Sequence, residues 1–259
     1  MIDIQNQPDY RNISIDKVGI KGLKYPVKVL DKTSGLQSTI AQINMYVDLP
    51  HDCKGTHMSR FVKILHLFRT KVSLESLTNI LEDMKEILNA ESSHIEITFP
   101  YFIEKQSPET GSKGLMDYTC SIFGSSDKEN NTDIVLKVAV PVTSVCPCSK
   151  EISKYGAHNQ RGEVLVSSRF KKFIWIEDIV SLVESNASCD IFSVLKREDE
   201  KFVTEKAYDN PKFVEDIARD VAQALIDDEN ITWFSVSAEN FESIHNHSAY
   251  AYIEKSAVS

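Results

Sequence analysis

The sequence has no apolar run long enough to cross a bilayer as a helix. Such a helix needs about 18 or more apolar residues, and the longest candidate, residues 134–142, is broken by Lys137 and reads as a strand. The opening residues, Met1-Ile-Asp-Ile-Gln-Asn, have neither the basic start nor the apolar stretch of a signal peptide. Positive charge is not in excess. Twenty-nine Lys and Arg stand against 38 Asp and Glu, a net charge of −9, which argues against general binding of nucleic acid or anionic membrane. A local cluster of cations can still hold a phosphorylated small molecule on an acidic protein. Cysteine is sparse: five residues, an odd number at irregular spacing, do not form a disulfide framework. The expectation is a cytoplasmic protein with no nucleic-acid or membrane partner, in which the Asn-x-Ser/Thr matches at Asn12 and Asn230 are chance. The chain also lacks a P-loop and a dinucleotide-binding glycine fingerprint, so any nucleotide must be held another way.

What is present is ordinary globular material. Over 259 residues, 42% hydrophobic and 26% charged, the chain can bury one large core or two modest ones. Residues 35–49 read as a strand, with Ile43, Met45 and Val47 alternating with polar neighbours. The period then changes. Phe61, Ile64, Leu65 and Phe68 predict a helix over 56–69, and Ser73 caps a second carrying Leu74, Leu77, Leu81, Met84 and Leu88. Strands resume around 95–99 and 118–123, and the polar stretch 125–132 reads as a linker. The order then repeats: strands at 134–142 and 162–170, a helix over 176–184, a stronger helix from Asn210 with Pro211 in its first turn, and strands at 231–239 and 247–253. Each half runs strand, strand, helix, helix, strand, strand, which predicts an α+β protein with antiparallel sheets covered by helices, divided into units 1–130 and 131–259.

Four segments carry candidate chemistry. In the first, residues 141–162, Cys146-Pro-Cys148 follows a strand and His158 lies ten residues on. Thiolates and an imidazole suit a soft metal such as zinc, and three protein ligands leave a position for water. The plainer reading is a turn with incidental cysteines. In the second, Glu239 to His247, two acids and two histidines in nine residues are candidate ligands or proton carriers, or simply a polar hairpin loop. Extended backbone puts His245 and His247 on one face. The third holds the charge run 195–201 and Glu215 near a helix start, which also reads as solvated surface and dipole stabilisation. The fourth, Gly55-Thr-His57-Met-Ser-Arg60, opens a helix whose free N–H groups, with His57 and Arg60, suit a phosphate, or merely cap it.

Taken together, these segments resemble the prokaryotic type IB GTP cyclohydrolases. The resemblance rests on Gly-Thr-His-Met-Ser-Arg (55–60), Cys-Pro-Cys-Ser-Lys-Glu-Ile-Ser (146–153), Gly-Ala-His-Asn-Gln-Arg (156–161), Leu-Lys-Arg-Glu-Asp-Glu-Lys (195–201), Phe-Val-Glu-Asp (213–216) and Glu-Ser-Ile-His-Asn-His (242–247), in family order across nearly the whole chain. It implies tandem tunnelling-fold (T-fold) units, each an antiparallel sheet covered by two helices, in a homotetramer with active sites at subunit interfaces. It implies conversion of GTP and water to formate and 7,8-dihydroneopterin 3'-triphosphate, feeding folate and deazaguanine tRNA synthesis.

The resemblance also implies roles. Cys146, His158 and Glu200 match the metal ligands for Zn²⁺, Mn²⁺ or Fe²⁺. Cys148 matches a non-ligating cysteine beside the substrate, His245 with Glu242 the proton-transfer pair, and Glu215 the acid that anchors guanine. His57, Arg60, Lys150, Arg161 and His247 are substrate-binding candidates, with Lys154 and Arg169 as further cations for the triphosphate. Three rivals stand beside this reading: an archaeal-type enzyme stopping at a cyclic phosphate, a purine- or pterin-binding module without turnover, and a zinc-stabilised interaction protein.

Overall fold

The computed structural model describes residue 5, residues 7–67 and residues 72–256. By its contacts the chain divides into two compact units, one of residues 1–100 with 121–136, the other of 101–120 with 137–259. Three long strands, β3 (Ser93–Gln106), β4 (Lys113–Ser126) and β5 (Thr132–Val145), contribute residues to both units.

The first unit adds β1 (Ile15–Asp31), β2 (Gly35–Leu49), α1 (Met58–Leu67) and α2 (Leu74–Leu88), with strands in the order β1-β2-β3-β4-β5. Gly35, at φ +81°, takes the left-handed turn that closes the β1–β2 hairpin. Alternation along β2 buries Ala41, Ile43, Met45, Val47 and Leu49. The Ser73 hydroxyl accepts the Ser76 N–H at 3.3 Å and starts α2, which buries Leu77, Ile80, Leu81, Met84 and Leu88. The expected helix 56–69 begins two residues late, and residues 68 and 69 lie outside the described ones.

The second unit contains α3 (Pro147–Ile152), β6 (Asn159–Phe170), α4 (Ile176–Ser185), β7 (Cys189–Asp190), α5 (Arg197–Asp209), α6 (Val214–Ile226), β8 (Ile231–Asn240) and β9 (Ala249–Ser256). Its strands run β3-β4-β5-β6-β8-β9, with β7 paired to β5. The stripe Val214, Ile217, Val221 and Leu225 buries α6 against β8 and β9.

Four expectations need correction. The stretch 125–132 is no linker; residues 127–131 form the turn of the β4–β5 hairpin, where Asp127 accepts N–H groups of Glu129 and Asn131 at 2.9 Å. The boundary at 130/131 accordingly gives way to the division above. Among the described residues the second unit carries four helices rather than two, because Pro147 opens the short α3 and the charge run 195–201 opens α5. Pro211 does not begin α6: Asn210 caps α5, and α6 starts at Val214 with the Asp216 carboxylate accepting the Phe213 N–H at 3.0 Å. The Pro-at-first-turn rule applies instead to Pro147 of α3.

Candidate functional site

The Cys146-Pro-Cys148 segment leaves β5 and turns at once into α3. Cys146 is the N-cap, and its sulfur accepts the Ser149 N–H at 3.4 Å. The Ser149 hydroxyl donates to the Cys146 carbonyl at 3.0 Å and accepts the His158 N–H at 3.1 Å. Cys146 N–H in turn donates to the His158 carbonyl at 3.2 Å. Two residues twelve apart in sequence are therefore laced into one corner. Cys146 is half-buried and Cys148 exposed, whereas Cys120 and Cys189 are buried. Burial pushes the Cys189 thiol up to about 11, with Asp190 adding to the effect, which keeps it protonated and inert.

The His158 imidazole is held from behind. Its Nδ1 lies 2.9 Å from Gln160 Oε1, and Gln160 Nε2 donates to Ser144 Oγ at 3.3 Å. The same hydroxyl accepts from Asn240 Nδ2 and donates to the Lys212 carbonyl, each at 3.0 Å. Glu242 comes to the same corner, its Oε2 4.0 Å from His158 Nδ1. The Phe241 N–H donates to the Arg161 carbonyl at 2.9 Å, which extends the β6–β8 pairing by a residue and brings Glu242 to the start of β6. His245 and His247 lie in an exposed loop, rings stacked with centroids 5.1 Å apart.

Glu200 sits in the first turn of α5. Val203 and Ala207 of that helix pack with Val145, Ala157 and Cys189, so α5 lies against the residues next to Cys146 and His158. Glu200, three and seven positions earlier, shares their face. Its side chain is exposed, and among the described residues no three His, Cys, Asp or Glu side chains converge to hold a metal. The predicted trio is thus only partly assembled: two donors are fixed together and the third is on the adjoining helix. The donor chemistry nonetheless suits a divalent ion, since one thiol, one imidazole and a carboxylate within reach form a mixed soft and hard set.

The neighbouring Asp199 was invisible as a functional residue in the charge run. Its carboxylate is completely buried and accepts N–H groups of Glu109, Thr110 and Lys196 at 2.9 Å and the Thr110 hydroxyl at 2.6 Å. Burial alone raises its pKa, but these bonds outweigh burial and hold the group well below the carboxylate range. Asp199 thereby ties the β3–β4 turn to the helix carrying Glu200. Gln160, Ser144 and Asn240 were missed as well. The one sequence signal was a glutamine at an inward position of an alternating strand, in step with Gly162, Val164 and Val166.

The remaining predicted residues divide between the units. Glu215 is exposed in the first turn of α6, whose connector is fastened to β5 by Lys212 N–H donating to the Val145 carbonyl at 3.1 Å. Lys150 donates to the Tyr208 carbonyl at 2.5 Å and lies 4.3 Å over the Tyr208 ring. Arg169 stacks on Trp233 at 4.3 Å; Arg161 and Lys154 are exposed. His57 and Arg60 belong to the first unit. There Arg60 donates to the Ile87 carbonyl near the end of α2 at 3.2 Å, which is an alternative to the phosphate role its position suggested.

Known structures define the class. The chain superimposes on a uricase from Bacillus fastidious with a TM-score of 0.56 at 8% identity, covering 96% of this chain and 94% of that one. On the Arthrobacter globiformis uricase the values are 0.52, 9%, 93% and 93%. At such identities the likeness speaks for the fold alone: an α+β tunnelling fold, mostly antiparallel sheet with helices. The sequence comparisons go further. The family described as type I GTP cyclohydrolase folE2 matches residues 1–251. GTP cyclohydrolase FolE2 of Desulfosudis oleivorans is 62% identical over 253 residues, 98% of this chain and 97% of that one. FolE2 of Syntrophobacter fumaroxidans is 59% identical over 256 residues, 99% and 100% of the two chains. The chain belongs to the type I GTP cyclohydrolase folE2 family. No helix among its described residues is long and apolar enough to cross a membrane.

Proposed function

We propose that this chain is a GTP cyclohydrolase of folate biosynthesis, hydrolysing GTP at guanine C8 to formate and 7,8-dihydroneopterin 3'-triphosphate. The observation that carries the reading is the Cys146–His158 corner in a chain matched from end to end by GTP cyclohydrolases. Cys146, His158 and Glu200 would hold one divalent ion, Zn²⁺, Mn²⁺ or Fe²⁺. A bound ion of this kind supplies Lewis acidity, making water nucleophilic near neutral pH. We assign the working state to a cytoplasmic homotetramer with active sites at subunit interfaces.

The chain's own groups do the rest. The two oxygens of Glu215 accept guanine N1–H and the 2-amino group, fixing the ring. Purine C8 is a poor electrophile, and a proton at N7 improves it. His245 is the donor in this reading, because an imidazole holds and releases a proton near pH 7. After the ring opens, a second hydrolysis frees formate, and the ribose carbons rearrange and close onto the exposed amine. Cys148 stands beside the substrate, His247 next to His245. His57 and Arg161 are candidates for the triphosphate, as are Arg60 and Lys150 once they leave their carbonyl partners.

The test is reconstitution. Metal-stripped protein is given GTP with Zn²⁺ or Mn²⁺, and formate is followed together with the fluorescent pterin formed on oxidation. Metal-dependent release of both is expected, with Cys146→Ala at the no-enzyme background. A cyclic phosphate product moves the enzyme to the archaeal-type branch. Tight GTP binding without formate under every metal leaves a binding module instead.

A further inference from the structure

The polar cluster behind His158 has a fixed sense of direction, and it starts at Ser144. A serine hydroxyl has one proton and two lone pairs. Around Ser144 Oγ stand the Lys212 carbonyl at 3.0 Å, Asn240 Nδ2 at 3.0 Å and Gln160 Nε2 at 3.3 Å. Ser144 is fully buried, and Asn240 and Gln160 are only 3% and 7% exposed, so these groups must satisfy one another. A carbonyl can only accept, which assigns the hydroxyl proton to Lys212 and both lone pairs to the amides.

That assignment propagates. Gln160 must keep its NH₂ toward Ser144, because turning the amide over would set two acceptors face to face in a buried place. Its Oε1 is then committed to His158 Nδ1, 2.9 Å away. An acceptor there requires a proton on Nδ1, and a neutral imidazole so protonated carries its lone pair on Nε2. Glu242, 4.0 Å from Nδ1, is beyond hydrogen-bonding reach, yet its charge favours the same tautomer. Asn240 is placed by strand pairing with Gly162, where an added Cβ would stand 2.6 Å from Asn240 Oδ1 and 2.9 Å from the Glu239 carbonyl. Only glycine leaves room for the brace.

We propose that Gln160 is a positioning residue that, braced by Ser144, locks His158 in the Nδ1–H tautomer and so presents Nε2 as the metal donor. The proposal rests on the reading of His158 as a ligand. It also makes Ser144 the point where that ligand and the connector leading to Glu215 share one hydroxyl.

The experiment joins two readouts. Magic-angle-spinning ¹⁵N spectra of metal-free, ¹⁵N-histidine-labelled protein report the His158 tautomer, assigned by difference from His158→Ala. Competition against a fluorescent chelator reports Zn²⁺ affinity. Wild type is expected to carry the proton on Nδ1. In Gln160→Leu the tautomers mix and zinc affinity falls about 10–100-fold, while Gln160→Glu, which keeps an oxygen facing Nδ1 but sets a second against Ser144, is expected to keep the proton on Nδ1 at a lower Tm. A merely structural glutamine would lower Tm without moving the tautomer. Should Gln160→Leu fail to fold, Ser144→Ala removes the pivot and is expected to mix the tautomers in the same way. A wild-type proton on Nε2 overturns the proposal, as does a Gln160→Leu protein with unchanged tautomer and affinity. Undiminished zinc binding by His158→Ala sinks the ligand reading instead, with the tautomer still judging the brace.

Discussion

Two regions a few residues apart on the second unit's strands are built on opposite plans. At the Cys146–His158 corner, backbone and side chains lace together, and the imidazole is gripped by a glutamine whose own orientation is fixed. In the loop 241–248, His245 and His247 are exposed and stacked on each other. The difference suits the roles proposed for each. A ligand gains from being fixed before its ion arrives, since reorganisation at binding costs affinity. A proton carrier must first gain and then give up a proton, and an exposed imidazole exchanges with solvent freely. One region is braced by bonds within the chain; the other is open to solvent.

The largest expected effect tests that division directly. His245→Ala is expected to lower kcat by about 10²–10⁴-fold, the usual contribution of general acid–base catalysis. Because His245 is exposed and stacked on His247, Zn²⁺ affinity and Tm should stay at wild-type values. Steady-state formate release, chelator competition and calorimetry check the three quantities. A His245→Ala protein that also loses zinc would break the comparison, because the loop would then belong to the metal site.

Asp199 probes the other side, where the corner depends on α5. In Asp199→Ala the N–H groups of Glu109, Thr110 and Lys196 lose a buried acceptor. Tm is expected to fall by roughly 5–10 °C, and zinc affinity to weaken because the turn carrying Glu200 is released. The pH dependence has a definite sign. Asp199 has a folded pKa below its ordinary value near 3.8, so its contribution is full above that value. It is lost as pH falls through the depressed folded value. Asp199→Asn should therefore show a flatter acid limb than wild type in unfolding followed by circular dichroism. Identical acid limbs would mean that this carboxylate does not link folding to pH.

Much of this was legible in the residues. The second strand was placed with its ends, because alternation of Ile43, Met45 and Val47 is bounded by Gly35 and by Pro50. The Ser73 cap was equally plain. What escaped was structure whose cause lies elsewhere in the chain. Helix α5 has a polar face almost all round, so no stripe announced it; it is held by Asp199 and by Lys206, whose ammonium pairs with Asp190 at 3.0 Å. Pro211 obeys a local rule, but Ser144 and Val145 fasten its neighbour Lys212 to β5 and delay the next helix to Val214. The motifs singled out Cys146 and His158, which a backbone bond joins. They could not place Gln160, Ser144 and Asn240, whose meeting depends on the pairing of β5, β6 and β8.

The smallest effect is expected at Lys150, on the outer surface of the corner. Its charge made it a candidate cation for the triphosphate, yet its ammonium is bonded to the Tyr208 carbonyl and lies over that residue's ring. If it clips α3 to the end of α5, Lys150→Met removes a half-exposed contact and changes KM for GTP by no more than roughly twofold. A charge-assisted bond to phosphate is worth about 1.5–3 kcal/mol, which in KM is roughly 10- to 150-fold with kcat unchanged. The two roles are thus separated by at least a factor of five in one steady-state measurement. A large rise in KM would show that Lys150 leaves Tyr208 when the nucleotide binds. The outer face of the corner would then be a part completed only by substrate.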